Sequence, residues 1–401
     1  MTILGAAWRC GMSAAGSARA LAVLALPRLL LLVVFVSLSG YAWFAVQQDA
    51  LGVGGVAVAA PPALPVPYQL LNDSEPPPLE ELAGLAPDDD GVLIDLRDFR
   101  FLLGGAAPAR CRPLVLVLVH TALGHTAERA LIRATWGSRL LAPRAEVLVR
   151  FMVGQPSGEG ADAAQRRIAE EAAAFGDIVQ GSFVDTYRNL TYKHAMALKW
   201  FARRCPEATY LLKVDDDVVV NTPVLLDFVH NAMSPHGARR LLACTVLAHA
   251  RPKRTWRSKW HVGYREYPHD EYPTYCAGWA VLYSPDVAFA LYREVQRTPY
   301  FWIDDVLVTG VLAERLGVTH ASWASLVLTS DELPRILAGD LRPTFMVALW
   351  YDVGLDADTQ GPLWHRVLAE VASSSSSRGP GGPGGAGNTT RDAWSATGTS
   401  P

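Results

Sequence analysis

The sequence is poor in cysteine and in net charge, and each shortage removes a class of function. Only five cysteines are spread over 401 residues, with no CxxC and no Cys/His cluster, so nothing points to zinc. The formal net charge is −3, which gives no electrostatic grip on nucleic acid. No internal repeat is present. Half of the residues are hydrophobic and 19% are charged, a balance that suits one folded core carrying a membrane segment rather than two equal domains.

A strongly apolar run without a charge stands at residues 29–46, LLLLVVFVSLSGYAWFAV. About 20 apolar residues cross a bilayer as a helix, and with residues 21–27 upstream of Arg28 this run is just long enough. Arg9, Arg19 and Arg28 precede it, and Asp49 is the first charge after it. Positive charge stays cytoplasmic, so the bulk of the chain is expected in a lumen. The run is long and no small-x-small cleavage site follows at once, which favours an anchor over a signal peptide. Tyr41, Trp43 and Phe44 suit the membrane interface. Residues 47–111 contain APPALPVP and EPPPLEE and read as a stem. Residues 372–401 are a Ser-rich and Gly/Pro-rich tail that cannot build a core. The expected organisation is a cytoplasmic tail at 1–28, an anchor at 29–46, a stem at 47–111, a folded domain at 112–371 and a disordered tail at 372–401. Sequons at Asn72, Asn189 and Asn388 agree with a lumenal body. In an oxidising lumen Cys111, Cys205, Cys244 and Cys276 can pair in three ways, and the sequence does not choose among them.

Within 112–371, strands and helices alternate. Apolar runs at 113–120, 147–153, 177–184 and 210–214 predict strands. Residues 126–136, 161–175 and 191–204 predict helices, the second ended by Gly176 and the third basic at its C-terminal end. Such alternation implies an α/β fold with a mostly parallel sheet covered by helices. Ligands of such sheets bind beyond the carboxyl ends of the strands.

The densest chemical signal is YLLKVDDDVVVN at residues 210–221. Asp215, Asp216 and Asp217 leave a buried strand together, and three like charges there are costly unless a cation compensates. Carboxylate oxygens are hard ligands for Mn²⁺ or Mg²⁺, ions that also bind diphosphate. The Gly and Glu offsets of a calcium-binding hand are absent. A bare acidic triplet can equally be a solvated turn, so its neighbours matter. In order along the chain stand ERALIRATWG (128–137), DTYRNLTYK (185–193), KVDDD (213–217), SKW (258–260), YPTYCAG (272–278) and WIDDV (302–306).

This series resembles the β-1,3-galactosyltransferase and β-1,3-N-acetylglucosaminyltransferase family, glycosyltransferase family 31, over residues 112 to about 330. The resemblance implies a GT-A-like, Rossmann-type fold and a type II Golgi membrane enzyme. It implies inverting transfer of galactose from UDP-galactose to an acceptor glycan on a glycoprotein or glycolipid, in β-1,3 linkage, with Mn²⁺ or Mg²⁺ as cofactor. UDP-GlcNAc is the rival donor, and a lumenal pseudoenzyme that kept the fold is the reading from another class. Carried over by position, Asp215 to Asp217 hold ribose and metal, with Asp217 and Asp215 as ligands, and Asp305 is the general base. Chemistry asks for such a base independently, because inversion needs a carboxylate to take the acceptor's proton. Asp304 and Asp305 open an expected helix at 306–316, whose N-terminus favours an ionised carboxylate; Asp304 alone can supply its cap. Arg129, Arg133 and Lys193 are expected near phosphate, and Trp136 stacked near the nucleotide. Gly278 is expected where backbone approaches the donor sugar, and Trp260 and Trp279 are candidates for stacking on sugar rings. Two departures stand out. Trp279 follows Gly278 where the family often has Gly. The late strand at 345–350, FMVALW, has no His, where many members place a second metal ligand; His320 and His365 flank it without aligning.

Overall fold

The computed structural model describes residues 68–73, 91–106, 111–138, 146–355 and 357–376. The apolar run 29–46, the cytoplasmic tail, most of the stem and the sequon at Asn388 lie outside the described residues. The chain divides into two units, Met1–Pro61 and Pro62–Pro401, and all described residues belong to the second. Among them no helix is long and apolar enough to cross a membrane.

Twelve strands are formed by the described residues: β1 (Gln69–Leu70), β2 (Phe101–Leu103), β3 (Val115–His120), β4 (Val147–Gln155), β5 (Ile178–Val184), β6 (Tyr210–Asp215), β7 (Val218–Val220), β8 (Ala238–Arg239), β9 (Leu242–Leu247), β10 (Tyr275–Tyr283), β11 (Ala321–Ser322) and β12 (Val347–Leu349). Eight build one sheet in the order β11-β9-β10-β6-β3-β4-β5-β2. Its middle, β6-β3-β4-β5, is parallel. β10 runs antiparallel between β6 and β9, and β2 closes the far edge antiparallel to β5. All six residues of β3 are buried, as a strand covered on both faces requires, and its near-continuous apolar sequence follows from that.

The helices α1 (Thr126–Ala134), α2 (Ala161–Phe175), α3 (Leu190–Arg204) and α4 (Pro285–Val295) cover the sheet. Gly176 stops α2 at φ 67°, a left-handed cap that a side chain resists. α3 contacts β3, β4 and β5 on one side and α4 on another, which is why it is buried almost all round from Thr191 to Phe201.

Three expectations change. The folded body starts before residue 112: Leu93, Ile94 and Phe99 are buried in the main core, and β1 pairs with β8. The Pro-rich composition of 47–111 hides the apolar run GVLIDLRDFRFLL at 91–103 that makes this possible. At the other end, a helix at Ala357–Ser376 runs past 371 and buries Leu363, Trp364 and Val367. The helix expected at 306–316 is a wide-wound segment, Val306–Leu312, continued by Ala313–Arg315.

Two disulfides select one of the three connectivities. Cys111–Cys205 ties the entry to β3 to the end of α3 across 94 residues. Cys244–Cys276 joins the neighbouring strands β9 and β10 across 32. Closing loops of that size is worth about 3–5 kcal/mol each.

Candidate active site

The acidic triplet sits where the sheet's geometry sends it. Asp215 is the last residue of β6 and lies opposite His120, the last of β3. The chain then turns through Asp216 and Asp217 into β7, which pairs with β12. Trp350 N–H donates to the Asp217 carbonyl at 3.0 Å. The late strand without a His is therefore beside the triplet, as the resemblance implies.

The three carboxylates are held differently. Lys213 Nζ donates to Asp215 Oδ1 at 2.6 Å and to the Gly278 carbonyl, bridging β6 and β10. His125 Nδ1 donates to Asp216 Oδ2 at 2.7 Å, since a carboxylate can only accept. Asp217 Oδ1 is buried with no hydrogen-bond partner. Burial, together with the charges of Asp215 and Asp216, pushes Asp217 up to about 6. Burial also raises Asp215, against the pull of Lys213. An orphaned, buried, hard oxygen that resists ionisation is what a divalent cation would relieve, so these residues fit one. Among the described residues no three His, Cys, Asp or Glu side chains converge as a metal cage. One or two carboxylates completed by substrate phosphates and water is the ordinary arrangement for Mg²⁺-type ions.

Across Lys213 lies the second acidic patch. Asp304 Oδ2 accepts from His194 Nδ1 of α3 at 2.9 Å, and His194 Nε2 meets Tyr283 Oη at 3.1 Å. Burial opposes the Asp304 charge, but the His194 bond and the Lys213 charge outweigh it and hold Asp304 below its usual value. Asp305 is the opposite case. Its Oδ1 accepts from Val306 N–H at 2.8 Å, while Oδ2 accepts nothing from the described residues. Burial and then the Asp304 charge push it up to about 7. The capping role expected for Asp304 thus belongs to Asp305, because Asp304 is already taken by His194. Gly278 packs directly against the Asp305 carboxylate. A Cβ there would lie 3.0 Å from Asp305 Cβ and 3.2 Å from its Oδ2, so Gly278 makes room for the carboxylate. Tyr187 lines the same region: burial raises its hydroxyl, helped by the charges of Asp304, Asp305 and Asp215.

Four expected nucleotide contacts are corrected. Arg129 is fully buried. Its N–H groups go to Glu171 (2.6 and 2.8 Å), the carbonyls of Ala122 and Leu123, and the hydroxyls of Thr121 and Thr126. Nothing is left for phosphate. Arg133 forks onto Asp177 at 2.8 and 2.9 Å and reaches Glu171, between the rings of Phe151 and Phe175. Trp136 is core, 2% exposed. Lys193 is buried between Asp185 Oδ1 (2.9 Å) and the Thr121 carbonyl (2.5 Å), bracing the loops after β3 and β5. Arg129 and Lys193 thus brace the segment that follows β3, at Thr121 to Leu123. The expected glycan at Asn189 meets a half-buried side chain whose Nδ2 donates to the Val184 carbonyl at 2.8 Å; Asn72 is exposed after β1. Trp279 packs against the core, whereas Trp260 is exposed.

Sequence reasoning missed His125 and His194 and gave Lys213 no role. For Lys213 a signal existed: a lysine inside an otherwise apolar strand, two residues before the triplet, needs a buried partner. Nothing local marks the two histidines, whose partners lie 91 and 110 residues away.

Comparisons with known proteins follow this geometry. The family model described as Galactosyltransferase matches residues 127–324, which carry every acidic residue above. Human β-1,3-galactosyltransferase 5 is 32% identical over 206 residues, 51% of this chain and 64% of that one; its Pan troglodytes counterpart is matched at 32% over 67% of its length. A human acetylgalactosaminyl-O-glycosyl-glycoprotein β-1,3-N-acetylglucosaminyltransferase is 36% identical over 57% of this chain and 60% of its own. Among solved structures, the galactosyltransferase LgtC aligns with 64% of this chain and 95% of its own at 11% identity and a TM-score of 0.31, too low a score to carry an argument. The chain belongs to the galactosyltransferase family of β-1,3-galactosyl- and β-1,3-N-acetylglucosaminyltransferases.

Proposed function

We propose that this protein is an inverting, UDP-sugar-dependent hexosyltransferase that moves galactose from UDP-galactose onto a glycan hydroxyl in β-1,3 linkage. The observation that carries the reading is Asp305. Its carboxylate has an uncommitted Oδ2 beside Gly278, and burial and Asp304 poise it at about 7. A base so poised accepts a proton near neutrality with little loss of driving force. Asp305 Oδ2 takes the acceptor's hydroxyl proton as that oxygen attacks the anomeric carbon; attack opposite the departing UDP turns an α-linked donor into a β-linked product. Asp304, fixed by His194, keeps its charge and so maintains the basicity of Asp305. Lys213 holds Asp215 and the Gly278 carbonyl in register between β6 and β10.

Asp217 and Asp215 would hold Mn²⁺ or Mg²⁺. The ion, when bound, neutralises charge that builds on the diphosphate as the sugar bond breaks. The parallel β6-β3-β4-β5 core with antiparallel β10 beside it supports the GT-A class. UDP-GlcNAc is the second donor reading, favoured by the 36%-identical N-acetylglucosaminyltransferase relative. A Golgi membrane location, with residues 29–46 as a single-pass anchor and the body lumenal, is supported by the two disulfides, which persist in oxidising compartments.

The test is UDP release by the purified full-length chain, given UDP-galactose and UDP-GlcNAc with a panel of acceptor glycans, with and without EDTA. Metal-dependent release that requires an acceptor is expected with one donor. No release with either donor would overturn the transferase reading.

A further inference from the structure

The chain is slightly acidic overall, yet residues 251–265, RPKRTWRSKWHVGYR, carry six basic residues and no acidic one. They are Arg251, Lys253, Arg254, Arg257, Lys259 and Arg265. Two are spent locally. Arg254 donates to the Val262 and His269 carbonyls at 3.0 and 2.7 Å and lies over the Tyr264 ring; Arg251 pairs with Glu271. Lys253, Arg257, Lys259 and Arg265 have no carboxylate partner among the described residues.

Large aromatics alternate with these cations, and they face outwards. Trp256 is 78% exposed, Tyr264 62% and Trp260 43%. Exposed tryptophan beside bare cations is poor design for a surface that touches only water. The segment is also built to hold its shape. Val262 N–H donates to the Lys253 carbonyl at 3.0 Å, closing its base beside the Lys253–His261 bridge. Turns 255–258 and 258–261 are each closed by a backbone bond, and Val262 is fully buried as the plug. Arg257 lies 5.2 Å over Trp256, and Lys259 4.4 Å over Trp260.

The platform leads to the acidic site. Trp260 Nε1 donates to Tyr187 Oη at 2.8 Å, and Lys259 also lies over the Tyr187 ring. Tyr187 in turn stands next to Trp302, with ring centroids 6.3 Å apart, two residues before Asp304. A pyranose stacks its axial C–H face on an aromatic ring, so Trp260 and Trp256 offer successive places for a sugar chain approaching Asp305. That approach runs towards Asp215, Asp216, Asp217, Asp304 and Asp305. An anionic chain would be repelled there unless cations line its path; a neutral chain would need none.

We propose that residues 253–262 form the acceptor platform and select glycans bearing an anionic sugar, a uronate or a sulfated residue, next to the sugar that receives the transfer. The proposal rests on the transferase reading above and deepens it. Trp256 and Trp260 supply the stacking faces, and Arg257 and Lys259 meet the anion.

The test uses the full-length chain and three matched oligosaccharide acceptors that differ in one sugar: glucuronate, sulfated glucose or plain glucose. At low salt at least one charged acceptor should exceed the neutral one in kcat/KM by roughly tenfold, the size expected for two exposed ion pairs. The ratio should shrink as salt screens the charges. In the double variant Arg257→Gln/Lys259→Gln the ratio should fall towards one through acceptor KM, with the shift absent from the KM for UDP-sugar. Equal use of all three acceptors by wild type overturns the proposal. So does a double variant that weakens UDP-sugar instead, which makes the loop a donor clamp. So does wild-type binding to anionic vesicles with an acceptor ratio that the variant leaves untouched, which makes it a membrane contact. Tryptophan-fluorescence titration with the same oligosaccharides separates the two readings. Charge-selective binding without turnover sinks the transferase and keeps the platform; turnover without charge preference does the reverse.

Discussion

Two clusters of buried charge flank the ends of the central strands, and they are opposites. In the first, Arg129 and Arg133 meet Glu171 and Asp177, and every contact is a short charge-assisted bond. Burial opposes the Glu171 charge, but the two arginines outweigh it and hold its carboxyl low. The second has Asp215, Asp216, Asp217, Asp304 and Asp305 around Lys213, and there Asp217 and Asp305 are pushed up to about 6 and about 7. A closed cluster has its counter-charges inside the chain, so it is architecture. An open one lacks them, so it waits for a ligand or a proton. Residue type alone does not tell the two apart: arginines in a family motif look as functional as aspartates.

The largest expected effect breaks the closed cluster. Arg129→Met strips donors from Glu171 and from the carbonyls of Ala122 and Leu123. Breaking a buried pair by removing one partner costs about 3–5 kcal/mol, and urea unfolding of the full chain should show that loss. A cost below about 1 kcal/mol would mean the cluster is not the brace described, and would return Arg129 to the list of phosphate contacts.

Next in size is Asp305→Asn. The amide can still accept from Val306 N–H but cannot take a proton. Turnover should fall roughly 10²-fold or more, with UDP binding close to wild type. Asp304→Asn should leave more turnover, because the base survives and loses only the neighbour that tunes it. If Asp304→Asn is the dead variant and Asp305→Asn the live one, the roles are reversed.

Asp305 also sets a pH dependence. Its pKa is raised, so the ionised base appears only above about 7. kcat/KM should therefore drop about tenfold between pH 8 and pH 6. In Asp304→Asn the limb should move to lower pH, since the repelling charge is gone. A limb that stays in place would show that burial alone sets the value.

The contrast explains what the sequence disclosed. Most strands and helices of the parallel core were legible within one to three residues, because β3 and its neighbours are apolar runs and α2 has its own stop at Gly176. The triplet and Asp305 were legible through ordered motifs. What stayed hidden was the pairing of charges. Nothing near Arg129 announces Glu171, 42 residues on, and nothing near Asp304 announces His194. Residues 91–103 were lost for a related reason: a stretch judged by average composition conceals a short run that pays its way only against β5 and the core.

The smallest expected effect is the sharpest on the comparison, because its sign should reverse. Removing charge from the closed cluster destabilises; removing it from the open cluster should stabilise the metal-free protein. Asp217 has a folded value of about 6 against about 3.9 in an unfolded chain. A raised value means that the favourable contribution is present below pH 4 and is lost as pH rises through 6. Wild type in EDTA should therefore lose stability across that window, and Asp217→Asn should be free of that loss. At pH 7.5 the variant should be more stable by about 1–2 kcal/mol. Mn²⁺ should invert the order, raising the unfolding midpoint of wild type and leaving Asp217→Asn unmoved, since a ligand that binds only the folded state stabilises it by mass action. If Asp217→Asn is destabilised in EDTA, its carboxylate has a partner in solution, and the triplet is a second closed cluster.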